Sequence, residues 1–138
     1  MPTTTANIAL SSDATDSVLS LTNEFQLFKA GNSAAGMDTM TSVSKTLTSN
    51  YQVDLLTTAA AGGSTHSFLY INNPSTDATE YFRIGMGAAS GDANGVVVEE
   101  IGYLYAGDWM MIPYSATEDI IIWPGVSTAM TVEYMLFN

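Results

Sequence analysis

The stretch Met130-Thr131-Val132-Glu133-Tyr134-Met135-Leu136-Phe137 repeats with a period of two. Met130, Val132, Tyr134 and Leu136 fall on one side, and Thr131, Glu133 and Met135 on the other. A helix would need apolar residues three and four apart. Strict alternation is the mark of a strand with one face in a core. Just before it, Pro124-Gly125 is a strong break, and Asp119–Trp123 is a short, nearly continuous apolar run.

The same grammar extends towards the N-terminus. Trp109 to Tyr114 reads as a strand ending near Pro113, after a turn at Ala106-Gly107-Asp108. Residues 96–104, with Val96, Val98 and Ile101, read as another, preceded by a Gly-rich loop at 87–95. Residues 79–86 form a strand, and Asn73-Pro74-Ser75-Thr76-Asp77 a turn. His66 to Asn72 is apolar on both faces, as a central strand would be. Residues 59–65, with Gly62-Gly63, read as a connection. Residues 51–57 place Tyr51, Val53 and Leu55 opposite Gln52 and Asp54, and 42–49 place Val43 and Leu47 on one face.

The first 40 residues are less regular. Residues 1–16 read as an extended or mobile segment and 30–40 as a loop. Between them, Leu19, Leu21, Phe25 and Leu27 alternate as in a strand or tight hairpin. Val18, Leu21, Phe25 and Phe28 also fit a helix, and strand is the preferred of the two.

Together these runs predict an all-β chain: a single β-sandwich, jelly-roll-like, of about eight strands, with an extended N-terminal segment. A barrel is the alternative. The expected division is 1–40 as an arm with a first strand or hairpin, and 41–138 as the sandwich. Composition agrees. At 138 residues, 46% of them hydrophobic, the chain suits one core. Lys, Arg and Glu, which populate helix surfaces, are scarce. No run approaches the roughly 20 apolar residues of a membrane-spanning helix. The start, Met1-Pro2-Thr3-Thr4-Thr5, has no basic or apolar leader pattern, so no secretory signal is expected.

Three cations (Lys29, Lys45, Arg83) face 14 carboxylates, for a formal net charge of −11. Affinity for nucleic acid comes largely from basic groups neutralising phosphates. Such a chain is expected to bind neither nucleic acid nor anionic membrane.

Residues that could carry chemistry are few. There is one histidine, His66, and no cysteine, which removes thiolate ligands and leaves one imidazole to serve as a base. Ser64 and Ser67 flank it too closely for a triad to be inferred. Gly87-Ala88-Ala89-Ser90-Gly91 has the wrong spacing for a nucleophile elbow. Gly85-x-Gly87-x-x-Ser90 departs from a dinucleotide fingerprint and precedes a β-rich segment. The pairs Glu99-Glu100, Glu118-Asp119 and Asp77 with Glu80 lack the spacing of a calcium loop and read as a solvated face. A glycosidase carboxylate pair has little room for a cleft. The expectation is a protein that is not an enzyme, with no cofactor and no metal.

The aromatics are the better candidates for binding. Tyr103, Tyr105, Trp109, Met111, Tyr114 and Trp123 are the candidate interface residues, with Met110, Met130 and Met135 adding to the same character. Aromatics and methionine are enriched at interfaces. The alternative use of Tyr103, Tyr105, Trp109, Tyr114 and Trp123 is a platform on which sugars stack.

Three segments resemble small structural proteins of bacteriophage head gene clusters. Phe68-Leu69-Tyr70-Ile71-Asn72-Asn73-Pro74 resembles their "LYIKN" strand and turn. Leu104-Tyr105-Ala106-Gly107-Asp108-Trp109 through Pro113 resembles their "L-x-P-G-E-x-x-x-x-P" segment, with Ala106 in place of Pro and Asp108 in place of Glu. Met130 to Phe137 resembles their terminal "VEYLLFE" strand. The resemblance covers about 66–138. It implies a capsid decoration (cement) protein: a β-sandwich, often a homotrimer, that binds the major capsid protein on the outside of the virion after synthesis in the host cytoplasm. It implies no active site. The rival expectation is a fibre or tail component that binds host-surface carbohydrate.

Overall fold

A computed structural model describes residues 4–13, 19–32, 34–48, 50–62, 66–87, 99–126 and 129–138. Among them there are ten strands and no helix, so the all-β expectation holds. The chain divides into two compact units, Met1–Thr39 and Met40–Asn138.

The first unit is built on a two-stranded antiparallel ribbon. β1 (Thr4–Ser12) pairs along its whole length with β2 (Leu19–Leu27), from Thr4 opposite Leu27 to Ser12 opposite Leu19. Within residues 1–16, read as extended or mobile, Thr4–Ser12 is an extended, paired strand. Its run of Thr, Ala, Asn and Ser is a weak strand signal by itself, and its ladder partner supplies the order. The alternation in β2 resolves as strand, and the helical spacing there is incidental. After β2 the chain turns back through Phe28, which bridges Gly36. The Lys29 amide donates to the Ala35 carbonyl and the Met37 amide to the Leu27 carbonyl, which closes the loop expected at 30–40. Lys29 pairs with Asp38 at 2.7 Å.

The second unit holds the other eight strands: β3 (Met40–Leu47), β4 (Val53–Leu56), β5 (Ser67–Asn72), β6 (Tyr81–Met86), β7 (Glu99–Tyr105), β8 (Trp109–Tyr114), β9 (Ile120–Pro124) and β10 (Met130–Phe137). They form two antiparallel sheets in the orders β3-β10-β5-β8 and β4-β9-β6-β7. Only β6 and β7 are both consecutive and paired; every other connection passes to the opposite sheet. Two four-stranded sheets wound this way are a jelly roll.

Between the sheets lies one apolar core. Leu47, Leu69, Ile71, Met130, Val132, Leu136 and Tyr114 enter from the first sheet. Leu55, Leu56, Phe82, Ile84, Leu104, Ile120 and Ile122 enter from the second. Period-two patterns produce this, as in β5, where Ser67, Leu69 and Ile71 are buried between half-buried neighbours. β4 departs from it. Its register shifts between Asp54 and Leu56, so Leu55 and Leu56 are both buried, as at a bulge. Tyr51 and Gln52 precede the ladder, and there Gln52 is buried and Tyr51 exposed, the reverse of the alternation expected. The Gly-rich loop and the strand start at Val96 and Val98 lie outside the described residues, apart from Gly87.

Proline falls where a sheet tolerates a missing amide: Pro113 on the edge strand β8 and Pro124 at the end of β9. The β7–β8 turn is closed by the Asp108 amide donating to the Tyr105 carbonyl at 2.9 Å, with Gly107 at φ 80°. Positive φ at the third turn position is the demand of a type II turn, which proline at the second position favours but does not require. Ala106 in place of proline therefore leaves the turn intact.

Asn73 ties this turn to the one after β5. Its amide donates to the Asp108 carbonyl, and its carbonyl accepts from the Gly107 amide, both at 2.9 Å. Its side chain donates to the Leu104 carbonyl at 3.1 Å and accepts from the Ser75 amide at 3.2 Å.

Candidate interaction surfaces

Alternation that sends one set of residues into the core sends the other outward, so each sheet has an outer face whose makeup follows from register. On the β3-β10-β5-β8 sheet the pairings Met40–Phe137–Phe68–Pro113 and Ser42–Met135–Tyr70–Met111 run across all four strands. The next row is Ser44–Glu133–Asn72–Trp109. The first two rows hold no charged side chain. Met40 is exposed, Trp109 is 51% exposed and stands 5.9 Å from the Tyr70 ring, and His66 meets Phe68 edge-on at 5.2 Å. Glu133 closes one end, its carboxylate accepting from the Asn72 side chain (Nδ2) at 3.1 Å. The result is a broad methionine and aromatic platform on the surface of a strongly acidic chain.

The outer face of the β4-β9-β6-β7 sheet is different. Register sets Tyr81 opposite Tyr105, and Arg83 between Tyr103 and Trp123. The Arg83 guanidinium lies 4.5 Å from the centre of the Trp123 ring and 5.6 Å from that of Tyr103, within cation–π range. It also donates through Nε and Nη2 to Glu100 Oε2.

The six candidate interface residues thus fall in three places. Tyr103, Tyr105 and Trp123 share the outer face of the second sheet, where Trp123 is only 4% exposed. Trp109 and Met111 share the outer face of the first. Tyr114 points into the core, and its hydroxyl donates to the Glu118 carbonyl at 2.9 Å. Burial holds the Tyr114 and Tyr134 phenols above the usual tyrosine range. The five-aromatic sugar platform, the alternative use of these residues, is not assembled, because its members point to opposite sides of the sandwich or inward. Phe68, Tyr70, Phe137 and Tyr81, none of them among the candidate interface residues, join the two faces. Strand pairing was the signal that could have found them.

No protein-family model matches the chain, and no curated protein is similar to it. A similar solved structure is that of the Yersinia pseudotuberculosis-derived mitogen, 13% identical, covering 72% of this chain and 85% of its own, with a TM-score of 0.42. A likeness that distant says nothing of what this chain binds.

Four of the six carboxylates considered for metal binding are engaged locally, Glu100 with Arg83 and three others through hydrogen bonds. Asp77 accepts from the Thr79 amide and hydroxyl at 2.9 and 2.7 Å, which holds its carboxyl below the usual range. Glu80 accepts from Ser75 and Asp119 from the Thr58 amide. Among the described residues no three His, Asp or Glu side chains gather as a metal site would require, and no helix is long and apolar enough to cross a membrane.

Proposed function

We propose that this protein is a structural component of a bacteriophage virion that binds the outer surface of the capsid and stabilises it, docking on the major capsid protein through the outer face of the β3-β10-β5-β8 sheet. One observation carries the reading. The three segments that resemble phage head proteins fold as β5, the β7–β8 turn with β8, and β10. β10, β5 and β8 are adjacent in one sheet, and their outward side chains include Phe68, Tyr70, Trp109, Met111, Met135 and Phe137.

Interfaces take most of their energy from a few aromatic anchors amid apolar surroundings, which is the makeup of this face. Assembly as a homotrimer would let each particle grip several capsid subunits, so that weak contacts multiply through effective concentration. The reading places the protein on the capsid exterior, after synthesis in the host cytoplasm.

The test is binding to purified capsids stripped of the protein. Trp109→Ala and Met111→Ser remove outward side chains and leave the core untouched; each is expected to weaken binding about tenfold or more. Variants that saturate capsids like the parent would refute this docking face. A handful of copies at the tail, instead of hundreds at symmetric positions on the head, would refute the role.

A further inference from the structure

The outer face of the β4-β9-β6-β7 sheet plays no part in that docking, and its chemistry is different. Tyr81, Tyr103 and Tyr105 form a triangle, with ring centroids 5.5 Å apart for Tyr81–Tyr103, 5.4 Å for Tyr81–Tyr105 and 6.3 Å for Tyr103–Tyr105. Tyr103 and Tyr105 alternate on the edge strand β7, their planes within 18° of parallel, and are 44% and 51% exposed. Cross-strand packing explains Tyr81 against Tyr105. It does not explain two parallel rings left open to water beside an ion pair.

That ion pair packs on aromatic rings. Arg83 stacks between Trp123 and Tyr103 while Nε and Nη2 both reach one oxygen of Glu100. The guanidinium and the carboxylate each keep about a third of their surface open to water, so donor and acceptor capacity remains beside Tyr103. Gly125 completes the arrangement. Its amide donates to the Tyr81 carbonyl at 2.8 Å, and a Cβ at this position would collide with the Tyr81 ring. The ring is thus set in place by a neighbour without a side chain.

Flat apolar faces beside a paired donor and acceptor match a pyranose, which offers a C–H face to an aromatic ring and adjacent hydroxyls to polar groups. Two rings in series suit more than one sugar unit. Glu99 and Glu100 on the same strand, and the net charge of −11, disfavour an anionic ligand. We propose that this face binds a neutral oligosaccharide. Tyr103 and Tyr105 stack on it, Arg83 and Glu100 contact its hydroxyls, and Tyr81 is a positioning residue. The inference does not rest on the capsid reading and can fail or stand without it.

The experiment is binding of the purified protein to an array of neutral glycans (gluco-, galacto- and manno-oligosaccharides) alongside sialylated and uronic ones. Binding to neutral glycans is expected. Tyr105→Ala and Glu100→Gln should each lower that signal at least tenfold, whereas Tyr105→Phe and Trp109→Ala should not. Gly125→Ala should weaken binding without removing any contacting group. Near-UV circular dichroism identifies any variant that has lost its fold, and Arg83→Gln then replaces it. Absence of neutral-glycan binding, stronger binding to acidic glycans, or a signal indifferent to Tyr105→Ala and Glu100→Gln would each overturn the proposal.

Discussion

Ser67 and Asn73 are fully buried polar residues, one opening β5 and the other directly following it, and their energetics run in opposite directions. The Asn73 side chain satisfies the Leu104 carbonyl and the Ser75 amide, so truncation leaves buried groups without partners. Such a loss costs about 2 to 3 kcal/mol, and Asn73→Ala is expected to lower stability by that much in denaturant titration. The Ser67 hydroxyl is buried without a hydrogen-bond partner among the described residues. Ser67→Ala therefore removes a desolvated group and should be neutral or stabilising by up to about 1 kcal/mol; a clear loss of stability would mean that the hydroxyl is bonded in solution. Tyr114 and Tyr134 add a pH dependence. Burial raises both phenols in the folded state, so their stabilising effect is complete below the unfolded value of about 10 and is lost as pH rises through the folded values. Alkaline unfolding is expected above that pH, and Tyr134→Phe should blunt it.

At the scale of elements, legibility followed the strength of alternation. β10 was readable because its alternation is clean, and β5 and β8 because each is an apolar run bounded by turn residues. β1 was not, since Ala6, Ile8 and Leu10 alternate with Asn7 and Ala9 too weakly to mark a strand without its partner. Register was hidden as well, and the candidate surfaces depend on it. Trp109 and Trp123 look alike in the sequence, yet one stands half-exposed on the first sheet and the other lies under Arg83 on the second. Tyr81 and Tyr105 are 24 positions apart and become neighbours only through the β6–β7 ladder. The two compact units supply a further prediction. Every residue of the sandwich core cluster lies between Leu47 and Leu136, and a two-stranded ribbon is marginal by itself. Deletion of residues 1–39 is expected to leave a domain that unfolds cooperatively, with the near-ultraviolet dichroism of the parent sandwich. A molten product would mean that the ribbon is part of what holds the sandwich together. If the ribbon grips the shell, the same deletion weakens capsid occupancy; unchanged occupancy would remove it from the docking surface.

For the whole molecule, charge is the dominant feature. All three cations are committed: Lys29 to Asp38, Arg83 to Glu100, and Lys45 to the Asp54 carbonyl. Two ion pairs against 14 carboxylates leave most of the negative charge uncompensated, and that charge repels itself in the compact state. Free copies repel one another in the same way, which opposes self-association until a platform-sized apolar contact or a shell offsets it. Screening separates the two effects. At about 20 mM salt the Debye length exceeds 20 Å, and at about 0.5 M it falls below 5 Å. Raising sodium chloride between these limits is expected to lift the thermal midpoint by about 3 °C, equivalent to roughly 1 kcal/mol. It should also shift the sedimentation profile towards the oligomer. A midpoint indifferent to salt would show that the carboxylates lie too far apart, or bind too many counterions, to strain the fold. A profile indifferent to salt while the midpoint rises would show that repulsion acts within each copy and does not keep copies apart.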